Sequence, residues 1–314
     1  MARMTPLAPA VAPPAARGSE ARRHRARQGV LGWLFSAPYL VFVGVIFAFP
    51  LGFAVYMSAH DYFFTAPGVN VDRPFVGMRN YVQALTDPAV RRSFYNVAVF
   101  LVINVTLTVV LSLVLATLLN QVVHARAFLR VSFYLPYLTA SVALVGVWLF
   151  LFSGTGLVNQ LLGPLAPDPS WLVSEQLAMP SIALFVTWKG LGFYILLYLA
   201  ALQNVGKELY EAAATDGASR WQAFWNVTVP GVRSATVLVL LLATITGANL
   251  FTEPYLLTGG GGPNGASTSP VLIMYQQGIQ QGKPGYAAAI GVLLVILTLG
   301  IAFLQNWLGR EKDS

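Results

Sequence analysis

The chain contains no cysteine and only three histidines, His24, His60 and His124. The first absence excludes disulfides, thiol catalysis and cysteine-held metals. The histidines are too scattered for a local metal motif, so neither a metal nor another cofactor is expected. Charge is equally scarce. Asp, Glu, Lys and Arg make up 10% of the 314 residues, against roughly 25% in a soluble globular protein. So few charges cannot cover a water-facing surface. Catalytic signatures are missing as well: there is no G-x-x-x-x-G-K-[ST] phosphate loop, no H-E-x-x-H and no G-x-S-x-G. Residues Gly260 to Gly265 fit G-x-G-x-x-G formally, but the nucleotide reading needs a preceding strand and a following helix. Here the run follows an apolar block and contains Pro263. The chain has no visible means of hydrolysing ATP and is not expected to be an enzyme.

What the sequence has instead is apolar length. Hydrophobic residues reach 56% and collect into six blocks: Trp33–Met57, Val97–Leu119, Phe133–Phe152, Pro180–Leu202, Ser234–Leu257 and Tyr286–Leu308. Each is long enough for a helix that crosses the hydrocarbon core, which takes about 20 residues. A helix also satisfies its own backbone there, as lipid requires. Of all the charged residues, only Lys189 and Glu253 fall inside these blocks. The expected fold is therefore an all-α integral membrane protein with six transmembrane helices. Pro38 and Pro50 lie within the first of them, where kinks are tolerated if neighbours satisfy the freed carbonyls.

The Lys and Arg distribution sets the orientation. With the N-terminus inside, thirteen of the nineteen basic residues fall in inner segments and five in outer ones, Arg91 and Arg92 among the latter. The net charge of +7 is thus mainly a topology signal, and no nucleic-acid partner is expected. Residues 1–29, rich in Ala, Pro and Arg, cannot bury enough surface to fold and read as a disordered basic tail. The apolar stretch behind them is too long for a signal-peptide core of about 7–15 residues. It reads as an uncleaved first helix, opening a 30–90 segment that includes the outer connection. In that connection Tyr81, Val82 and Leu85 have helical spacing, which predicts a short surface helix over 80–94. The third outer segment, 258–285, reads as a loop. Residues 309–314 are expected to form a short inner tail.

The segment between blocks four and five is different. Leu209 to Ala214 should be helical, and Gly217 should end that helix in a left-handed conformation. Ser219 can cap a second helix running to about Val227, with Pro230 ahead of the next span. Trp221, Phe224 and Trp225 stand at i, i+3 and i+4 and share a face. The result is a small helix-turn-helix on the inner side.

Glu211-Ala212-Ala213, then Gly217, then Val227, Val229 and Pro230 resemble the EAA loop of binding-protein-dependent ABC importer permeases. Asp216-Gly217-Ala218 fits the commonest form of that loop, and valine replaces both aliphatic positions. Phe75–Tyr81, Tyr134-Leu-Pro-Tyr137, Trp188-Lys189-Gly190 and Tyr255–Pro263 extend the likeness to the carbohydrate subgroup, of maltose and glycerol-phosphate type, over about residues 30–308. The resemblance implies a type I importer half in a prokaryotic cell membrane, with residues 91–308 as its main transmembrane domain. Its partners would be a second permease, two ATPase subunits and an extracytoplasmic sugar-binding protein. The 203–231 loop would be the coupling element, with Glu211, Ala212, Ala213, Asp216, Gly217 and Pro230 as its key residues.

A charge inside a membrane span is a functional candidate by default. Lys189 and Glu253 are therefore expected to face a solute pathway and to meet substrate or one another. Trp188, Gly190, Phe193, Tyr194 and Asn249 join them as candidate lining, with Thr244, Thr246 and Thr252 as further hydroxyls. Asn104 is expected to bond a neighbouring helix. Permeases for amino acids or peptides are the nearest alternative. A secondary transporter would need coupling-ion carboxylates near the midplane, and Glu253 lies near one end of its block. A membrane enzyme would need a polar catalytic cluster at a span end.

Overall fold

The computed structural model describes residues 32–66, 68–69, 71–121 and 126–310, so the expected tail at 1–29 lies outside the described residues, as do 311–314 of the short C-terminal tail. The chain forms two units, Met1–Ala54 and Val55–Ser314. In the first, the described residues are helical. Helix α1 runs over Gly32–Ser58, close to the expected block. It continues through Pro50 by means of one π turn at Gly44–Ala48, in which the Phe49 N–H reaches back to the Gly44 carbonyl. The proline ring crowds the carbonyl four residues earlier, here Ile46, and cannot donate to it. Widening the helix around that residue relieves both problems.

The second unit continues with α2 (Arg79–Thr86), α3 (Pro88–Gln121), α4 (Arg126–Leu138), α5 (Ser141–Leu151), α6 (Leu157–Leu162) and α7 (Ala178–Leu202). It is completed by α8 (Lys207–Thr215), α9 (Arg220–Gly231), α10 (Arg233–Ala248), α11 (Thr252–Leu257), α12 (Pro270–Tyr275) and α13 (Pro284–Arg310). Helices α1, α3, α7 and α13 are long and apolar enough to cross a membrane singly. The pairs α4/α5 and α9/α10 reach that length only together, bent by 97° and 69°. Six spans result if each bent pair is one span.

Four expectations are corrected by these elements. The surface helix expected over 80–94 is cut at Asp87, which is extended at φ −66°, ψ 118°. A residue before proline is pushed out of the helical region, while Pro88 itself suits a first helical position. The Asp87 carboxylate accepts the Ala89 N–H at 2.8 Å and starts α3. The third block is not one helix: it breaks at Thr139–Ala140, three residues after Pro136 leaves the Ser132 carbonyl without its α-helical donor. The fifth block stops at Ala248 and resumes at Thr252. Pro254 explains that break, because it cannot donate to the Leu250 carbonyl; the Ser269 hydroxyl bonds that carbonyl instead. The fourth correction follows directly. Segment 258–285, read as a loop, holds α12 and a π turn at Gln276–Gln280, with Ser267, Ser269 and Leu272 fully buried. Ser269 caps α12 by accepting the Leu272 N–H at 3.1 Å, and Pro270 follows at the first helical position.

Packing centres on α7. Phe100 of α3, Trp148 of α5 and Ile182 and Phe185 of α7 form one core cluster. Leu113, Ile195, Tyr198, Val232 and Val239 form a second. Helix α4 comes so close to α7 that a Cβ on Gly192 would lie 2.2 Å from the Phe133 carbonyl oxygen. That atom is backbone and cannot rotate aside. Gly192→Ala should therefore cost about 3 kcal/mol, the upper end for overpacking. At Gly146 an added Cβ meets nothing within 4 Å, so Gly146→Ala is the control. Thermal unfolding of the detergent-solubilised chain, followed by size exclusion, should show a lower midpoint for the first variant only.

Candidate functional site

Two groups of residues stand out, on different elements. The first is the helix-turn-helix. Helix α8 ends at Thr215, and Gly217 adopts φ +77°. The Ala218 N–H then reaches the Ala213 carbonyl at 2.9 Å and the Gly217 N–H the Ala214 carbonyl at 3.1 Å. This pair of reversed bonds satisfies carbonyls that the helix end would otherwise leave open. Glu211, Ala212 and Asp216 are exposed along this turn, and Ala213 is partly covered. Ser219 opens α9 with a reciprocal cap: its hydroxyl accepts the Gln222 N–H at 3.3 Å, and the Gln222 side chain accepts the Ser219 N–H at 2.7 Å. The Tyr210 and Thr228 hydroxyls, 3.0 Å apart, tie the two helices together.

The second helix is longer than expected. It passes Val227 through a π turn at Phe224–Thr228 and ends at Gly231. Pro230 therefore lies inside α9, two residues before the bend at Val232, rather than between the loop and a span. The π turn again encloses the residue four before the proline, Asn226, as it does ahead of Pro50. Trp221, Phe224 and Trp225 share a face as expected, with ring centroids 5.4–5.8 Å apart. Trp221 is 67% exposed and Trp225 52%.

The second group lines a cavity of ≈ 350 Å³ among α3, α4, α7, α10 and α11. From α7 it receives Val186, Lys189, Gly190, Phe193 and Tyr194, which is the i, i+3, i+4, i+7, i+8 stripe of one helical face. Trp188 lies off that stripe and does not line the cavity. It packs against Trp148 at 5.5 Å and is 39% exposed. Lys189, Gly190, Phe193, Tyr194, Asn249 and Glu253 are brought together. Thr246 and Thr252 join them, whereas Thr244 faces away and takes a hydrogen bond from Gln305 at 2.8 Å. Asn104 bonds Thr187 at 2.9 Å, as expected of an interhelical amide, and still reaches the wall.

The two partly buried charges meet. The Lys189 ammonium lies 3.9 Å from the Glu253 carboxylate, with side chains 20% and 13% exposed. It also donates to the Ser141 hydroxyl. Ser141 is the first residue after the α4/α5 break, and Glu253 stands in the first turn after the α10/α11 break. One lysine on an unbroken helix thus ties both discontinuities. Sequence reasoning had missed Ser141, Tyr137 and Thr108. Tyr137 stacks on Phe193 at 5.2 Å and 15°; its only signal was its place in the Tyr134–Tyr137 motif. The wall offers what a polyhydroxylated solute needs: stacked rings, hydroxyls of Thr108, Thr246 and Thr252, and amides of Asn104 and Asn249.

Comparison with known proteins identifies the family. A family model described as the binding-protein-dependent transport system inner membrane component matches residues 108–313. The arabinooligosaccharides transport system permease protein AraP of Bacillus subtilis is 32% identical over 277 residues, covering 87% of this chain and 86% of that protein. The trehalose/maltose transport system permease protein MalF of Thermococcus litoralis is 32% identical over 288 residues, covering 91% and 96%. The crystal structure of a bacterial alginate ABC transporter with an alginate pentasaccharide-bound periplasmic protein contains a chain of the same fold, with a TM-score of 0.76 at 22% identity, over 91% of this chain and 96% of that one. The chain belongs to the family of binding-protein-dependent transport system inner membrane components, as the multi-pass, non-catalytic permease of an ABC transporter.

Proposed function

We propose that the chain forms half of the membrane pathway of a carbohydrate importer. The observation that carries this reading is the wall at the two helix breaks, which combines a Tyr137–Phe193 ring stack with hydroxyls and amides. Discontinuous helices around a polar cavity are a recurrent way to build a solute site in a membrane. Relatives named for oligosaccharides support the same class. A second permease completes the pathway, two ATPase subunits supply energy, and an extracytoplasmic sugar-binding protein delivers the solute. The 203–231 loop receives ATPase closure through Glu211, Ala212, Ala213, Asp216 and Gly217, and Pro230 sets how α9 meets the bend. Residues 91–308 are the core of this unit, and both termini face the cytoplasm.

The test is reconstitution in liposomes with a partner permease, an ATPase and a binding protein from the same organism. ATP-dependent uptake of a labelled oligosaccharide is expected. Uptake of amino acids or peptides without sugar uptake would overturn the solute class. Orientation has its own check, since the native chain has no cysteine background. Asp216→Cys should resist an impermeant thiol reagent added to intact spheroplasts, and Gly265→Cys should react. The reverse pattern would invert the topology.

A further inference from the structure

Among the described residues, Lys189 and Glu253 are the only charged side chains on the cavity wall. They face each other across 3.9 Å at the edge of the open space, and the ammonium is further occupied by Ser141. The cavity is therefore charge-balanced. We propose that Glu253 is a specificity-determining residue that keeps this cavity for uncharged solutes and turns anionic ones away. The proposal deepens the saccharide reading above and rests on it.

The argument is electrostatic. A solute carboxylate or phosphate entering the cavity would seek its cation, Lys189. To reach it, the anion would have to displace Glu253, whose own charge would stay a few ångströms away. Repulsion between like charges is strong where protein walls replace water, and a displaced buried carboxylate loses its partner without gaining another. A neutral polyol meets no such obstacle. It can bond Thr246 or Asn249 and lie on the Tyr137–Phe193 stack while the ion pair stays in place. A wall built to attract an anion would leave its cation facing the cavity with neutral donors around it. Here the cation faces a carboxylate. Removing that carboxylate should leave a free ammonium on the wall and turn the cavity into an anion site.

The test reads the cavity's charge directly. Asn249→Cys places the chain's sole thiol on the wall, in the full transporter complex reconstituted in nanodiscs. Reaction rates with an anionic and a cationic methanethiosulfonate are measured, and their ratio is divided by the ratio for a free thiol. Taking a ratio at one cysteine cancels its thiolate fraction. With the native pair the normalised ratio should lie near unity. Adding Glu253→Gln should raise it about tenfold or more, and adding Lys189→Met should lower it to a similar extent. A ratio already high with the native pair, or unmoved by Glu253→Gln, overturns the proposal.

A second arm uses maltotriose and digalacturonate as protectants against a neutral thiol reagent. Maltotriose should protect with the native pair, and digalacturonate only after Glu253→Gln. Protection of the native pair by digalacturonate also overturns the proposal. If the rate ratios move as expected but neither sugar protects any variant, the charge filter stands and the saccharide reading fails.

Discussion

Gly217→Val is expected to abolish uptake while leaving the chain in the membrane at normal abundance. At φ +77° a side chain bearing Cβ is held in the left-handed region, at a cost of roughly 1–2 kcal/mol per residue. Space is not the problem, since a Cβ built at Gly217 meets nothing within 4 Å. The strain is therefore relieved by the backbone, and relief breaks the bonds from Ala218 and Gly217 back to α8. Both short helices are then re-aimed, and the exposed face around Glu211 and Asp216 should no longer fit the ATPase subunit proposed to dock there. Gly217→Asn is the informative companion, because asparagine tolerates this conformation better than other non-glycine residues. It should keep most of the transport. Uptake per assembled complex, with ATPase co-purification as the measure of docking, checks both variants. Normal uptake by Gly217→Val would remove the turn from the coupling mechanism.

The second large effect is expected at Lys189. Lys189→Met should insert at least as well as the native chain, since methionine is much cheaper than lysine in hydrocarbon. Uptake should nevertheless fall about tenfold or more, because the change strands Glu253 as an uncompensated charge and unties both helix breaks. The double variant Lys189→Met/Glu253→Gln removes both charges together, so it should recover part of the loss for a neutral solute. Initial uptake rate per complex is the measurement. Wild-type uptake in the single variant would show that the pair does nothing for transport. A double variant as impaired as the single one would mean that the ammonium itself touches the solute.

Much of this arrangement was legible in the residues. Segregation of charge from apolar length exposed the spans, and the Gly217 turn with its Ser219 cap could be read from local chemistry alone. The two charges in the apolar blocks marked the cavity for the same reason: buried charges need partners. What could not be read was the breaking of the third and fifth blocks. Pro136 and Pro254 were visible, but proline in a membrane helix is compatible with a mild kink or a full break. The outcome depends on which distant group takes the freed carbonyl. For Leu250 that group is the Ser269 hydroxyl, nineteen residues on. The same blindness turned 258–285 into an expected loop, since its glycines outweighed the Ser269-Pro270 helix start. Trp188 stands off the lining stripe of α7 although Lys189 is on it, because adjacency in sequence does not mean a shared face.

The last helix is fastened at both ends. Near its start the Tyr286 hydroxyl donates to the Asp87 carboxylate at 2.9 Å, and the Gly285 N–H bonds the Tyr62 carbonyl at 3.1 Å. At its far end Arg233, one residue past the bend that closes α9, donates to the Gly309 carbonyl. Partway along, Gln305 bonds Thr244 of α10. These bonds tie α10 to the far end of α13, while its near end is tied beside α2 and α3. A pull arriving through α9 is therefore expected to move α10 and the far end of α13 together, with the smallest displacement near Tyr286.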